Sequence, residues 1–529
     1  MICPRFEADT FWNFKRTSEV FGAKYPAPPL GLITVAALLP RSWSIRLVNR
    51  NTEELSDDDL DWADLVLTGG MLPQGGDTLD IIDLCRARGK PVAVGGPSVS
   101  STPDLYQTAN FRVVGEAEGV IDKFVEAWEA GAREGLFAAE KFQTDVTKTP
   151  IPRFDLLKFD DYLHIGVQFS RGCPFTCEFC DIIELYGRVP RAKTNAQMLG
   201  ELDELYRLGY RGHVDFVDDN LIGNKKAVKA FLPELAEWLE AHDYPFEFTT
   251  EASINLADDH ELLRLMNQAN FVGVFVGIES PDTATLMAMR KKQNTRRNIA
   301  QSIHKLYTAG LFVHAGFIVG FDSEMQSVAD AMVELIEEAA IPVCMVGLLY
   351  ALPNTQLTRR LEKEGRLHPP PRREDVKSAD QCTMGLNFET VRPRQEILAD
   401  YVRILERVYD PFAYAGRLLR LAKMLDNSSR KQQRRAQHSR RNLGSLEILH
   451  RIITNLPEPR DLFRRTLIQC VAGNPDSTSR IVLLMALYMD VGPFSREVIA
   501  RIENMIAALE PVGVETRAPD ERARLHLAT

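Results

Sequence analysis

No histidine precedes His164, so the chain up to that point offers no imidazole as a ligand. Cysteine is scarce as well. Of eight in 529 residues, Cys3, Cys85, Cys344, Cys382 and Cys470 are scattered, and each reads as a small buried apolar residue. The opening MICPRFEADTFWNFKR lacks the basic segment, long apolar core and small-residue cleavage site of an export signal. The apolar run IVLLMALYM (481–489) is too short to span a bilayer and predicts a buried helix. Basic charge is not in surplus: 63 Lys and Arg against 73 Asp and Glu give a formal net charge of -10, which argues against a general nucleic-acid binder. The expected compartment is a reducing cytoplasm, where clustered thiols bind metal or react more often than they form disulfides.

What is present is enough for two or three domains, since the length exceeds what one hydrophobic core supports. The runs SIRLV (44–48), ADLVLTGG (63–70), KPVAVGG (90–96) and FRVVGE (111–116) predict buried parallel strands. Between them, EELSDDDLDW carries an acidic helix start and GDTLDIIDLCRARG is amphipathic and closed by Gly89. Strand, helix, strand repetition with glycines at the strand ends predicts a doubly wound, Rossmann-like sheet over residues 1–140, with a ligand across its carboxyl edge. Residues 141–160, with KTPIPRFDLLKFDDY, have the character of a linker. A second series follows over 161–385: IGVQFS, HVDFVDDN, FEFTTEAS, FVGVFVGIES, FVHAGFIVGF and VCMVGLLYAL, separated by helical segments. Six such units predict a partial TIM-type (β/α)6 barrel whose chemistry sits at the C-terminal strand ends. From 386 to 529 helical periodicity takes over, as in RQEILADYVRILERVYD. The basic run SSRKQQRRAQHSRR (428–441) reads as a solvated loop or helix face, with contact to anionic lipid or substrate as the alternative, which leaves room for peripheral membrane contact.

The chemistry concentrates in RGCPFTCEFC (171–180), where Cys173, Cys177 and Cys180 stand at C-x3-C-x2-C spacing. A structural zinc site wants four ligands in a closed tetrahedron, and no cysteine or histidine follows until His213. A 4Fe-4S cluster can use three thiolates and leave one iron open for substrate or cofactor. FVDDN (216–220) offers Asp218 and Asp219 at a predicted strand end, either as carboxylates that position substrate or accept a proton, or as caps of the following loop.

The cysteine spacing, with Phe179 before the last thiol, resembles the signature of the radical S-adenosylmethionine superfamily. The resemblance implies that S-adenosylmethionine completes the open iron and that the reduced cluster cleaves it to a deoxyadenosyl radical. It also implies that TTEAS supplies Glu251 and Ser253, GIES supplies Glu279, and GFIVGF supplies Gly316 and Gly320 to bind S-adenosylmethionine.

A doubly wound domain before such a core resembles the cobalamin-binding class of the superfamily. PPLGLITVAALLP (28–40), GGPSVSSTP (95–103) and VVGEAEG (113–119) carry that likeness. It implies that Gly95, Gly96, Ser98, Gly115 and Glu116 lie near the corrin or its nucleotide tail. Because no histidine is available, the D-x-H-x-x-G lower ligand of cobalt is impossible here. GGMLPQGG resembles a replacement loop, in which Met71, Leu72 and Gln74 face the lower side of the corrin without a strong ligand. The first strand should precede PPLGL, yet the chain opens abruptly with MICPRF, so that strand must be very short or begin before residue 1.

Across nearly the whole chain the likeness is to cobalamin-dependent radical enzymes with a helical C-terminal extension, the hopanoid-ring methylase subgroup among them. It implies a methyltransferase acting on an unactivated carbon of a small-molecule or lipid substrate, hopanoid-like compounds included. A low-potential electron donor such as flavodoxin or ferredoxin is implied as partner. A cobalamin-assisted rearrangement or cyclisation without methyl transfer, and an iron-sulfur redox sensor or binding protein, are the alternatives.

Overall fold

The computed structural model describes residues 1–6, 10–369, 385–426, 450–455 and 458–509. Cys382 and the basic run at 428–441 lie outside the described residues.

The first sheet contains β1 (Ile2–Cys3), β2 (Val48–Asn49), β3 (Val66–Gly69), β4 (Val92–Gly95), β5 (Phe111–Val114) and β6 (Gly135–Ala138). All pairs are parallel, in the order β2-β1-β3-β4-β5-β6. The strands bury Val66, Val92, Val94 and Phe111, as a sheet covered on both faces requires. Separate apolar clusters lie around Ile82 and around Phe124. Ser56 and Asp59 form a capping box at the start of Asp57–Trp62, and the amphipathic run becomes helix Gly75–Ala87. Strand order reverses at β1, which puts the switch point, where such sheets bind ligands, at the carboxyl ends of β1 and β3.

Two details differ from the reading of the sequence. The run SIRLV contributes only its last residue to β2, because β1 has just two residues to pair with it, Ile2 with Val48 and Cys3 with Asn49. The short first strand is nevertheless an inner strand of the sheet. A sixth strand, β6, pairs with β5 from Phe111/Gly135 to Val114/Ala138, although GLFA is too short to show a pattern in the sequence.

The second sheet holds β7 (His164–Val167), then, after the small antiparallel pair β8 (Ser170–Arg171) and β9 (Arg191–Ala192), β10 (Gly212–Phe216), β11 (Phe246–Glu251), β12 (Phe271–Glu279), β13 (Phe312–Val319) and β14 (Val343–Leu348). These six parallel strands run in the order β14-β13-β12-β11-β10-β7, an open partial barrel built from the six apolar runs. Between the strands, Thr194, Asn224, Asp259, Asp282 and Asn298 cap the helices that return the chain.

The C-terminal helices Arg394–Val408, Pro411–Met424, Arg460–Gly473 and Thr478–Leu509 share one apolar core with the barrel. Tyr401 and Tyr409 donate to the Val346 and Cys344 carbonyls of β14 at 2.9 and 2.5 Å. IVLLMALYM lies in the last helix and buries Ile481, Leu484, Met485 and Leu487. No helix among the described residues is long and apolar enough to cross a membrane.

Candidate active site

The cysteine loop hangs between β8 and β9. Its entry needs glycine: Gly172 has φ +96°, and a Cβ there would come within 2.9 Å of the Gly187 carbonyl oxygen. FVDDN, at the end of β10, organises this loop. Asp218 accepts from the Phe169 and Ser170 amides at 2.9 and 2.5 Å and from Ser170 Oγ at 2.6 Å. Asp219 accepts from the Gly172 amide at 2.8 Å. Asn220 points its Nδ2 at Cys173 Sγ, 3.8 Å away, and its Oδ1 accepts from the Ser253 amide at 3.1 Å. Burial pushes the Asp218 carboxyl up to about 7 and that of Asp219 up to about 6, against the donors that favour ionisation.

Around the thiols the groups are unusual for a buried place. Burial raises all three, and Cys180 goes well above its ordinary value with the Asp181 charge adding to it. Lys291 is buried beside them and bonded to Glu279 at 2.6 Å. Burial opposes its charge, but Glu279 and Cys177 outweigh that and raise it above the usual lysine value. Gln293 Nε2 lies 3.8 Å from Cys177 Sγ, while Gln293 Oε1 and Asn294 Oδ1 are buried without partners. Among the described residues no three His, Cys, Asp or Glu side chains converge to hold a single metal ion. Three thiols with amide donors, one cation and unpartnered carbonyl oxygens are a donor set that fits a thiolate-bound cluster with a polar cofactor beside it.

The platform sheet faces this loop. Arg171, two residues before Cys173, is bonded to Glu118 at 2.7 Å and to Glu116 at 3.1 Å, and Arg191 reaches Glu116 at 2.8 Å. All four side chains are largely buried. A cavity of 2620 Å³ runs from the strand ends of the platform, at Gly70, Met71, Leu72, Gly96 and Gly115, past Asp219 and Asp181 into the barrel lumen at Glu251. Thr68 Oγ1 borders it, buried and without a partner. The size, the glycine-lined edge and this open hydroxyl fit a large planar cofactor with polar substituents.

Comparison with known proteins agrees. Residues 167–336 match the Radical SAM superfamily and residues 355–504 match a Domain of unknown function (DUF4070). An uncharacterized methyltransferase of Synechocystis sp. is 48% identical over 79% of this chain and 77% of its own length. The hopanoid C-2 methylase of Rhodopseudomonas palustris is 38% identical over 76% of this chain and 77% of its own. The chain belongs to the same family as these methyltransferases, with a radical S-adenosylmethionine domain at its centre. Among solved structures, the cobalamin-dependent S-adenosylmethionine radical enzyme OxsB, with aqua-cobalamin and S-adenosylmethionine bound, superposes with a TM-score of 0.59 over 96% of this chain and 83% of its own at 14% identity. The radical S-adenosylmethionine methyltransferase TsrM of Kitasatospora setae gives 0.58 over 78% and 97% at 16% identity. At these identities the likeness concerns the fold.

As a methyltransferase-type radical S-adenosylmethionine enzyme, the chain distributes its expected site residues in two groups. Bordering the cavity are Met71, Leu72, Gln74, Gly95, Gly96, Gly115, Glu116, Asp219 and Glu251. Several site residues, on the wall or behind it, are tied into the protein by hydrogen bonds or ion pairs. Gln74 turns its amide to the Pro4 carbonyl at 2.8 Å and takes the Met71 amide at 3.1 Å, so it shapes the loop. Ser98 Oγ is bonded to Tyr106 at 2.8 Å and does not border the cavity, while Ser100 does. Glu116 is engaged by two arginines. Gly69, with φ +154°, is required because a Cβ would stand 2.0 Å from the Gly95 carbonyl, which shows that these glycines also let two loops approach. Asp218 is enclosed by its three donors and lies off the cavity, a place that suits positioning of the cysteine loop.

On the barrel, Phe179 meets Phe321 edge to face at 5.9 Å, and Lys291 lies 5.9 Å from its ring. Glu279 is paired with Lys291. Ser253 is bonded to Asn220 and to Asn255 at 2.6 Å. A Cβ at Gly316 would meet the Phe275 ring at 3.1 Å, and Gly320 donates its amide to Glu324 at 2.8 Å. Missed in the sequence were Lys291, Gln293 and Asn294. They sit in RKKQN, which has the composition of an exposed basic turn, and nothing local marks the lysine as buried. Arg171 stood inside the quoted motif, but its partners are 53 and 55 positions away.

Proposed function

We propose that the enzyme transfers a methyl group to an unactivated carbon of a small-molecule or lipid substrate held between platform and barrel. The observation that carries this reading is the buried set of ion pairs from Arg171 and Arg191 to Glu116 and Glu118, which locks the cysteine loop against the platform and puts its residues Asp181, Ile182 and Tyr186 on the wall of the platform cavity, with the three thiols behind that wall. When bound, a 4Fe-4S cluster with S-adenosylmethionine supplies a carbon-centred radical and cobalamin supplies the methyl group.

Cys173, Cys177 and Cys180 would hold the cluster. Asn220 and Gln293 direct N–H groups at Cys173 and Cys177, and the Lys291 ammonium offsets thiolate charge. Phe179, Ser253, Glu279, Gly316 and Gly320, all off the cavity, are our candidates for S-adenosylmethionine, whereas Glu251 borders the lumen and is left to the substrate. On the platform, Met71, Leu72, Gln74, Gly95, Gly96, Gly115 and Glu116 would line the cobalamin space, and Ser98, bonded to Tyr106, supports it from behind. Met71 and Leu72 would offer that space apolar side chains and no histidine nitrogen. Of the FVDDN carboxylates, Asp219 alone borders the cavity and is the candidate for contact with substrate. A low-potential donor such as flavodoxin or ferredoxin, in a reducing cytoplasm, completes the requirements, and hopanoid-like lipids are within the substrate class.

Anaerobic reconstitution with labelled S-adenosylmethionine tests the reading. Deoxyadenosine together with demethylated S-adenosylmethionine supports methyl transfer. Deoxyadenosine alone points to rearrangement or cyclisation, and neither product points to a sensor or binding protein.

A further inference from the structure

A β/α barrel is normally filled by layers of branched apolar side chains. This one is not. On the strands β10 and β11 the inward positions are His213, Asp215, Glu247, Thr249 and Glu251, and all of them border the cavity. The deeper of these groups satisfy one another. His213 meets Thr249 Oγ1 at 2.8 Å and Glu247 at 3.4 Å, Thr249 donates to Asp215 at 2.6 Å, and Arg480 closes on Glu247 with two bonds of 2.9 and 2.6 Å.

One layer nearer the platform, Glu251, Phe275 and His314 stand in register on β11, β12 and β13. Here Glu251 Oε2 and His314 Nε2 are both buried and both lack a partner, which a native interior seldom tolerates unless something else supplies one. Towards the platform the wall turns apolar, with Trp12 5.7 Å from the Phe275 ring and with Leu483 and Leu487 from the last helix.

We propose that Glu251 and His314 form a shelf that receives an uncharged, hydroxylated end of an amphiphilic substrate whose apolar body lies against Trp12 and Phe275. This deepens the proposed function and rests on it. An anionic end is disfavoured because each cation on the wall is engaged: Arg171 by Glu116 and Glu118, Lys193 by Glu201, Arg480 by Glu247, and Arg211 by the Tyr206 and Tyr210 carbonyls. A cationic end is disfavoured by the same burial that keeps His164 and His314 neutral, both lowered to about 4 even though Asp215 faces them. A hydroxyl both donates and accepts, as a neutral imidazole and a carboxyl raised by burial and by Asp215 require.

The test uses the reconstituted holoenzyme and three probes sharing one chain: 1,2-decanediol, decanoate and decylammonium, with binding read from tryptophan fluorescence. The diol should bind about tenfold more tightly than either charged probe, and His314→Phe should lose about that factor for the diol. His314→Gln, which keeps a hydrogen-bonding side chain, should lose less, and the KM for S-adenosylmethionine should stay in place for both variants. Equal affinities, preference for a charged probe, or no loss in His314→Phe or in His314→Gln if the first fails to fold, would overturn the shelf. A raised KM for S-adenosylmethionine with unchanged diol binding would assign these groups to the ribose hydroxyls instead and also overturn it. Holoenzyme that cleaves S-adenosylmethionine yet shows no probe preference refutes the shelf alone. Failure to cleave refutes the function on which it rests.

Discussion

Arg171 Nη2 lies 2.7 Å from Glu118 Oε1 while its Nε donates to Gln168 Oε1 at 2.8 Å, so the residue that introduces the cysteine loop ties the barrel to the platform domain. Because Arg171 also meets Glu116, which in turn holds Arg191, the two strands β8 and β9 that bracket the loop share one platform anchor. The double variant Glu116→Gln, Glu118→Gln should loosen this register without touching the thiols. We expect demethylated S-adenosylmethionine per deoxyadenosine to fall at least about tenfold, as small misplacements of reacting groups do, while iron content stays at the wild-type level. Product quantification by chromatography checks both quantities.

Asp218 carries three donors from Phe169 and Ser170. Asp218→Ala would leave those donors buried without an acceptor, at a cost of about 1–3 kcal/mol for each unsatisfied group. The expected result is a large fall in iron incorporated per chain, measured after anaerobic reconstitution. Asp219→Asn, which retains an acceptor for the single Gly172 amide, should incorporate iron nearly normally.

Arg480 and Glu247 form a partly buried bidentate pair across 233 positions of sequence. Removing Arg480 leaves Glu247 with only His213 beside it, so Arg480→Met should destabilise the fold by about 1.5–3 kcal/mol. Adding Glu247→Gln should recover part of this loss. Urea denaturation of the wild type, both single variants and the double variant completes the cycle.

The pH dependence of stability should show the lumen histidines. Burial lowers His164 and His314 to about 4 in the fold, against about 6.5 in an unfolded chain. Between these values the unfolded state binds more protons, so their contribution to stability is lost as pH falls from about 6.5 to about 4 and is restored as it rises. Asp218 and Asp219, both raised, slope the opposite way in an overlapping range. The informative quantity is therefore the difference between wild type and His164→Gln, His314→Gln, followed by chemical denaturation from pH 4 to 7.

Much of this was legible in the sequence because it is written locally. The six barrel strands are continuous runs such as FVGVFVGIE that no other element suits, and the three thiols lie within one short loop. What was hidden depends on distant pairing. Lys291 has the look of a surface residue until Glu279 and the thiols are placed around it. Strand β6 exists only because β5 offers it an edge. The role of Asp218 turns on amides 48 and 49 positions earlier, and spacing alone cannot distinguish a loop anchor from a catalytic carboxylate.

We propose that the cluster, held by the thiols of the cysteine loop, and the corrin, held in the cavity that Asp181, Ile182 and Tyr186 of the same loop border, lie close together, with no platform histidine as a ligand to cobalt. Electron paramagnetic resonance of the anaerobically reduced holoenzyme, loaded with both cofactors, tests it most directly. We expect cobalt and cluster signals altered by mutual spin interaction relative to the singly loaded forms, and a cobalt signal without nitrogen hyperfine splitting from a protein imidazole. A spectrum that is the plain sum of the two singly loaded forms, or a cobalt signal carrying that nitrogen splitting, would contradict it.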